Sequence, residues 1–322
     1  MMSESDLEDL LAESADPAER AEYERYPYIP GRTAYILAQG YQFPKPSRRM
    51  VSDPYAVVRR LSFPIDIHQP GSVAERVREI EERCPHAVDA VRAMASSDLK
   101  RARWGQSGPA RPILLVGPPG CGKSTVARTY AEIFGYPTMT MNVGSMPEGF
   151  AFNGTHQTFG DSKPSAIVEF MARTETANPV IILDEVDKAP HGKQHGCVQN
   201  ALLPFLDMGE AKTFRDAFLG TTIDVSRIHW VLTANNLSMV SAPLRSRCQV
   251  IHVSRPNAFH VHALSKNLMA EIAEDLGLSR QWFRLDGIEL EALERHFTGD
   301  MRMLKRMVET IVEEQAETWG RG

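Results

Sequence analysis

The sequence predicts an α/β fold, a parallel sheet core followed by a helical lid, and three observations carry that prediction. Short apolar, β-branched runs recur at PILLVG, TMTMNV, PVIILD, IHWVLTAN and QVIHV, separated by helical stretches. Strands that alternate with helices imply a parallel sheet covered on both faces. The first run leads directly into a glycine-rich loop and then into TVARTYAEIF, a good helix former. After Pro256 the pattern turns wholly helical, over about Ala258 to Asp275, Leu290 to Phe297 and Met301 to Trp319.

From the N-terminus, residues 1 to about 25 are acidic, with Leu7, Leu10 and Leu11 at helical spacing. That suits either a solvated amphipathic helix or a docking peptide. This end has no apolar h-region, so no secretory leader is expected. Residues 26–71 concentrate proline and aromatics, including Tyr26, Pro27, Tyr28, Tyr41, Phe43, Pro54, Tyr55 and Phe63. Prolines at this density break helices and central strands, yet so many aromatics do not suit a disordered linker. The segment reads as an arm packed on its own core or on a neighbouring subunit. Helical patterns follow near Val73 to Arg83 and Pro85 to Lys100, the second opened by a proline, which costs little in a first turn. In LKRARWGQSGPAR, the cations Lys100, Arg101, Arg103 and Arg111 form a solvated face or meet a phosphate or acidic partner. The expected division is an acidic helix and arm over 1–71, an α/β domain over 72–255 that holds the glycine-rich loop, and a lid over 256–322.

The 322 residues are about twice the single-domain norm of roughly 150, which leaves room for this division. Lysine plus arginine total 36 against 41 acids, so the net charge of -5 opposes coating of nucleic acid or anionic membrane by bulk charge. A local basic patch stays open. Cys84, Cys121, Cys197 and Cys248 are spread too widely for a disulfide framework, which points to a reducing cytoplasm. No apolar run approaches the roughly 20 residues of a membrane span, so no membrane partner is expected.

The loop reads Gly117-Pro118-Pro119-Gly120-Cys121-Gly122-Lys123-Ser124-Thr125, a G-x-x-x-x-G-K-[ST] pattern between strand and helix. Glycines let successive backbone N–H groups point into one concavity, which with the helix N-terminus attracts phosphate. Lys123 is expected at the β- and γ-phosphates, and the Ser124 hydroxyl on magnesium. Cys121 is a loop filler or a redox switch. In PVIILDEVDK a buried strand ends at Asp184 and Glu185, the end where open α/β sheets bind ligands. Asp184 suits the outer magnesium shell. Glu185 suits the base for a water attacking the γ-phosphate, a group that transfer to a small acceptor would not need.

With these motifs, over about residues 72 to 318, the chain resembles an AAA+ ATPase, and its core is most similar to the ATPase module of Lon-type proteases. The likeness extends through GFAFNGTHQTFGDSKPSAIVEFMARTETANPVIILDEVDK, where His156, Phe159-Gly160 and Asn178-Pro179 stand in the order of Lon-type modules. The resemblance implies ATP and Mg2+ as cofactors and a ring, expected as a hexamer, with nucleotide at subunit interfaces. It matches Asn235 to sensor 1, Arg247 to an arginine finger acting in trans with Arg245 as the neighbour that could substitute, and Arg302 to sensor 2. An arginine suits the finger because it is always charged and forks onto phosphate oxygens. Asn142 falls where many AAA+ proteins hold the catalytic glutamate in an inactive pose. Phe159 matches a pore loop that grips a polypeptide, or is a core phenylalanine. Taken singly, Asn235 could cap a turn and Arg247 could form a surface ion pair.

The expected function is therefore ATP hydrolysis in a ring, coupled to remodelling or threading of a protein partner. No protease activity is expected of this chain, because the serine–lysine domain of Lon-type proteases is missing from it. The rivals are a nucleic-acid-directed AAA+ machine, favoured by the clamp-loader-like Ser246-Arg247-Cys248, and a regulatory switch that docks to an effector protein. His191, His195 and Cys197 superficially suggest a metal site, but no fourth ligand is nearby.

Overall fold

In the computed structural model, five strands form one sheet: β1 (Ile113–Val116), β2 (Thr138–Asn142), β3 (Val180–Asp184), β4 (His229–Ala234) and β5 (Gln249–His252). Their order is β2-β3-β4-β1-β5, and every neighbouring pair is parallel. The structure describes residues 21, 24–38, 41–43, 55–104, 111–146, 150–156, 162–189, 198–277 and 284–319. All five strands lie in the expected apolar runs. Every residue of β1 and β4 is buried, as continuous apolar strands in a covered parallel sheet should be.

The register decides what meets at the C-terminal edge. Val116 pairs with Ala234, Leu183 with Leu232 and Asn142 with Asp184. The turns that follow β1, β3 and β4 therefore emerge side by side, and the Gly117 N–H donates to Ala234 O at 3.2 Å.

Ten helices of six or more residues are described: α1 (Val73–Arg83), α2 (Val88–Met94), α3 (Ser96–Trp104), α4 (Lys123–Phe134), α5 (Ala166–Thr174), α6 (Val198–Leu206), α7 (Ala242–Arg247), α8 (Ala258–Asp275), α9 (Gly287–His296) and α10 (Met301–Trp319). The helix expected from Pro85 to Lys100 is a 3-10 turn at Pro85–Ala87 followed by α2 and α3, with a break at Ala95. Helix α9 starts earlier than the expected Leu290. Asp286 and Glu289 form a reciprocal capping box, with the Glu289 N–H donating to Asp286 Oδ1 at 2.7 Å and the Asp286 N–H to Glu289 Oε2 at 2.8 Å.

One apolar layer, on α1, α2 and α4, covers one face of the sheet and includes Val77, Ile80, Val91, Val126, Tyr130 and Phe134. Tyr130 and Phe134, one turn apart on α4, are fully buried, and each stabilises the fold by about 1.5–3 kcal/mol. The other face carries α5, α6 and α7 and, with them, the described part of the arm. Ala34, Ile36, Tyr55, Leu61 and Ile65 belong to that same cluster. The Tyr55 ring lies 5.1 Å from Phe218, and the Tyr41 hydroxyl donates to Leu219 O at 2.7 Å. Asn178 pins the arm further: its Oδ1 accepts from the His68 N–H at 2.7 Å and its Nδ2 donates to His68 O at 2.9 Å. Of the two surfaces open to the arm, these residues take the chain's own core. The lid has a separate core of Val261, Leu264, Leu268, Leu293, Leu304, Val308 and Val312. Among the described residues no helix is long and apolar enough to cross a membrane.

Polar groups inside this core are held neutral or paired. Asp98 accepts from the hydroxyls of Tyr130 and Tyr136, both at 2.6 Å, and burial drives both phenols up. Burial pushes His229 and His86 down to about 4 from the ordinary 6.5. Both are neutral in the fold, whereas the unfolded chain takes up protons near pH 6.5. The stability they contribute is therefore whole above pH 6.5 and is lost as pH falls from there to about 4, by a few kcal/mol. Thermal unfolding followed between pH 7 and 4.5 should show this decline, and His229→Gln should make it shallower; an unchanged slope would contradict neutral burial of His229.

Candidate nucleotide site

The loop after β1 closes because its glycines adopt conformations other residues resist. Gly120 and Gly122 have φ of +79° and +90°, in the left-handed region. At Gly117 the constraint is space, since an added Cβ would lie 2.2 Å from Val253 O. Gly117→Ala should therefore lower the unfolding free energy by about 1–3 kcal/mol. A thermal melt identical to that of the parent would show that β5 can move aside. The lid touches this loop directly: Met301 N–H donates to Gly120 O at 2.8 Å, and a Cβ on Gly120 would meet the Asp300 carboxylate at 2.5 Å.

Lys123 is buried and curls back over the loop. Its ammonium donates to Gly117 O at 2.7 Å, Pro118 O at 3.1 Å and Asn235 Oδ1 at 2.9 Å. A buried cation needs such oxygens, and they hold it at the place a triphosphate would claim. Asn235 thus faces the loop lysine across the β1–β4 register. Cys121 is fully buried beneath the loop. Cys84 and Cys248 are also free and buried, and burial raises them to about 11 and about 12, so neither is a thiolate at neutral pH.

Asp184 is joined to Ser124 and Thr233. Its Oδ1 accepts from the Ser124 hydroxyl at 2.6 Å and from the Thr233 hydroxyl at 3.0 Å, and the Glu185 N–H donates to Thr233 Oγ1 at 3.1 Å. A hydroxyl and a carboxylate converging at the loop are hard oxygen donors, which fit Mg2+ shared with phosphate oxygens and water. Among the described residues no group of three or more His, Cys, Asp or Glu forms a denser metal cage.

Glu185 has φ 59° and ψ 44°, a left-handed conformation that costs about 1–2 kcal/mol for a non-glycine residue. Its carboxylate pairs with the Lys188 ammonium at 2.5 Å. Asn142 stands beside Asp184 in the sheet, and among the described residues no hydrogen bond joins it to Glu185. Asp187 was not anticipated from the sequence. It is buried, and its Oδ2 accepts from the N–H groups of Asn235 at 3.0 Å and Asn236 at 2.9 Å, which ties the acidic turn to the turn after β4.

A cleft of about 350 Å³ is lined by Pro119, Gly120, Gly122, Lys123, Ser124, Thr125, Glu185, Asn235 and Arg302. Arg128, Lys188 and Thr233 line it too, and sequence reasoning missed all three. Arg245 and Arg247 do not line it; they sit on α7. Arg247 lies 3.9 Å from both Asp207 and Glu210, and it donates to Pro243 O at 3.3 Å. Phe159 and the His191, His195, Cys197 group lie outside the described residues. The residues flanking the Phe159 segment are bridged, with the Thr155 N–H donating to Lys163 O at 2.9 Å and the Lys163 N–H to Thr155 Oγ1 at 2.7 Å.

A phosphate loop after a central strand, an acid pair after its neighbour but one and an asparagine after the strand between them, under a helical lid, make up a nucleotide site of the P-loop class. Residues 113–255 match the model of the ATPase family associated with various cellular activities (AAA). The chain is 34% identical over 202 residues to the peroxisomal Lon protease homolog 2 of Pichia angusta, covering 62% of this chain and 22% of that protein. It is 30% identical over 207 residues to the mitochondrial Lon protease homolog of Caenorhabditis elegans, covering 63% of this chain and 21% of that protein. The chain thus spans about a fifth of the length of the curated relatives it matches. Among solved structures, a chain in a cryo-EM reconstruction of closed-state Hsp104 with ATPγS and FITC casein superposes with a TM-score of 0.63 at 18% identity, covering 77% of this chain and 48% of that one. That likeness is one of fold.

Proposed function

We propose that this chain hydrolyses ATP with Mg2+ in a ring, expected as a hexamer, and uses the turnover to remodel or thread a protein partner. One observation carries the proposal: the cleft gathers the loop, Lys123, Ser124, Glu185, Asn235 and Arg302, with Asp184 bonded to Ser124, while Arg245 and Arg247 lie off it. A site with its base but without its finger is what a subunit needs if a second copy supplies the arginine.

In this reading the loop N–H groups and Lys123 bind the phosphates, and Lys123 exchanges its backbone oxygens for theirs. Ser124 and Asp184 would hold Mg2+, which when bound neutralises charge on phosphate oxygens. Glu185 accepts the proton of the attacking water, Asn235 orients that water, and Arg302 closes the lid on the nucleotide. Arg247 of a neighbouring copy, with Arg245 beside it, stabilises the charge that develops on transfer.

Protein as the partner is supported by the kind of relatives found, Lon protease homologues, and by the casein present with the structural neighbour. Because the homologues match through their ATPase region, the chemistry proposed for this chain is nucleotide hydrolysis and not peptide hydrolysis. Its division at about residues 72 and 256 and its cytoplasmic location belong to the same proposal, the latter on the free, buried thiols. The test is stimulation of ATP turnover. An unfolded polypeptide such as casein should raise the rate of the assembled protein, and Phe159→Ala should abolish that rise. Stimulation by single-stranded DNA and none by polypeptide would move the chain to the nucleic-acid-directed class.

A further inference from the structure

Gln199, on the first turn of α6, is fully buried, and its side chain makes three hydrogen bonds. Its Nε2 donates to Val186 O at 2.9 Å and to Met239 O at 3.1 Å, and its Oε1 accepts from the Ser241 N–H at 2.7 Å. Two carbonyls face the nitrogen and one N–H faces the oxygen, so only one orientation of the amide satisfies all three.

The positions of those partners give the contact its meaning. Val186 lies between Glu185 and Asp187, in the acidic turn of the chain's own nucleotide site. Met239 ends the short helical turn Leu237–Met239 that follows Asn235 and Asn236. Ser241 is the N-cap residue of α7, the helix that carries Arg245 and Arg247. One side chain therefore bridges the turn bearing the base, the segment after the sensor asparagine, and the start of the arginine helix. Asp187 reinforces the first of these links through Asn235 and Asn236. A leucine or methionine would fill the same space and leave one buried N–H and two carbonyls short of a partner, which is costly enough to shift the segments.

We infer that Gln199 is a positioning residue that sets the arginine helix offered to a neighbouring copy against the chain's own acidic turn, so that the two sites are coupled. This rests on the proposal that Arg247 or Arg245 acts in trans. Displacement of a reacting group by about 1 Å can cost on the order of a hundredfold in rate, so small shifts of α7 suffice.

Full-length chains of two kinds test it in mixed assemblies. Recipients carry Arg245→Ala with Arg247→Ala, which leaves Glu185 intact and removes both candidate fingers. Donors carry Glu185→Gln, which leaves the arginines intact and removes the base. Mixed, they should hydrolyse ATP well above either kind alone. Gln199→Met placed in the donor should then lower the mixed rate about tenfold or more, whereas in the recipient, whose acidic turn stays tied by Asp187 to Asn235 and Asn236, the same change should lower it less than about threefold. Gln199→Glu keeps the acceptor for Ser241 but loses both donors, should show the same asymmetry, and replaces the methionine variant if that one fails to fold. Equal losses in the two placements would mean that Gln199 only supports the fold, and no loss in either would mean that it positions nothing; each overturns the inference alone. A donor–recipient mixture inactive before any change at Gln199, with both chains assembled, would overturn the trans reading and this inference with it.

Discussion

Glu185→Gln is expected to lower ATP turnover by the assembled protein about a hundred- to ten-thousandfold while ATP stays bound. The amide has the shape of the carboxylate but cannot take a proton from water. Nothing that holds the phosphates is altered, because Lys123, Ser124 and Asp184 are bonded to each other, to the loop and to Asn235, and not to the Glu185 side chain. The fold should tolerate the change: the bond lost is an ion pair to Lys188 that is partly open to solvent, worth about 0–1 kcal/mol. The expected signature is a collapse of kcat with nucleotide affinity kept and the thermal midpoint little moved. Turnover within tenfold of the parent would remove Glu185 from the role of base.

The second large effect is expected at Arg247. Arg247→Ala should reduce turnover about a thousandfold or more, the range of arginine fingers, without weakening nucleotide binding to the isolated chain. In this structure Arg247 is near Asp207 and Glu210, each at 3.9 Å and partly exposed. Such pairs contribute little, so leaving them for a neighbour's phosphate costs little. Arg245→Ala, which removes only the neighbour that could substitute, should have the smaller effect. Full turnover by the double variant at a concentration where the chain is assembled would contradict a finger on α7.

Much of the fold was legible because buried parallel strands read as unbroken apolar runs, and each of PILLVG, TMTMNV, PVIILD, IHWVLTAN and QVIHV contains its strand. The loop was legible for a related reason: its residue types are dictated by backbone geometry, as the clash awaiting a Cβ at Gly117 shows. Thr233, Asp187 and Gln199 were not legible as site residues. Thr233 meets Asp184 only because Leu183 pairs with Leu232, and sheet register between distant segments has no local signature. Gln199 sits in VQNALLPFL, an ordinary apolar helix until its three partners are known. Lys188 was in plain view in DEVDK, but its contact with Glu185 depends on the left-handed backbone of Glu185 and the 3-10 turn Val186–Lys188 that follows it. The arm shows the opposite limit. Its aromatics signalled packing, while the surface they cover, around Phe218 and Ile223, lies far along the chain. The start of α9 was readable in Asp-Gly-Ile-Glu, whose ends are a capping pair at the right spacing.

The central claim is that each nucleotide site works only when a second copy completes it. The most direct measurement is ATP turnover per chain at saturating ATP across a range of protein concentrations, with the assembly state read by light scattering at each point. Turnover per chain should rise in step with assembly and be close to nil for the dissociated chain. Turnover per chain that stays constant while the assembly falls apart would show a self-sufficient site and contradict the claim.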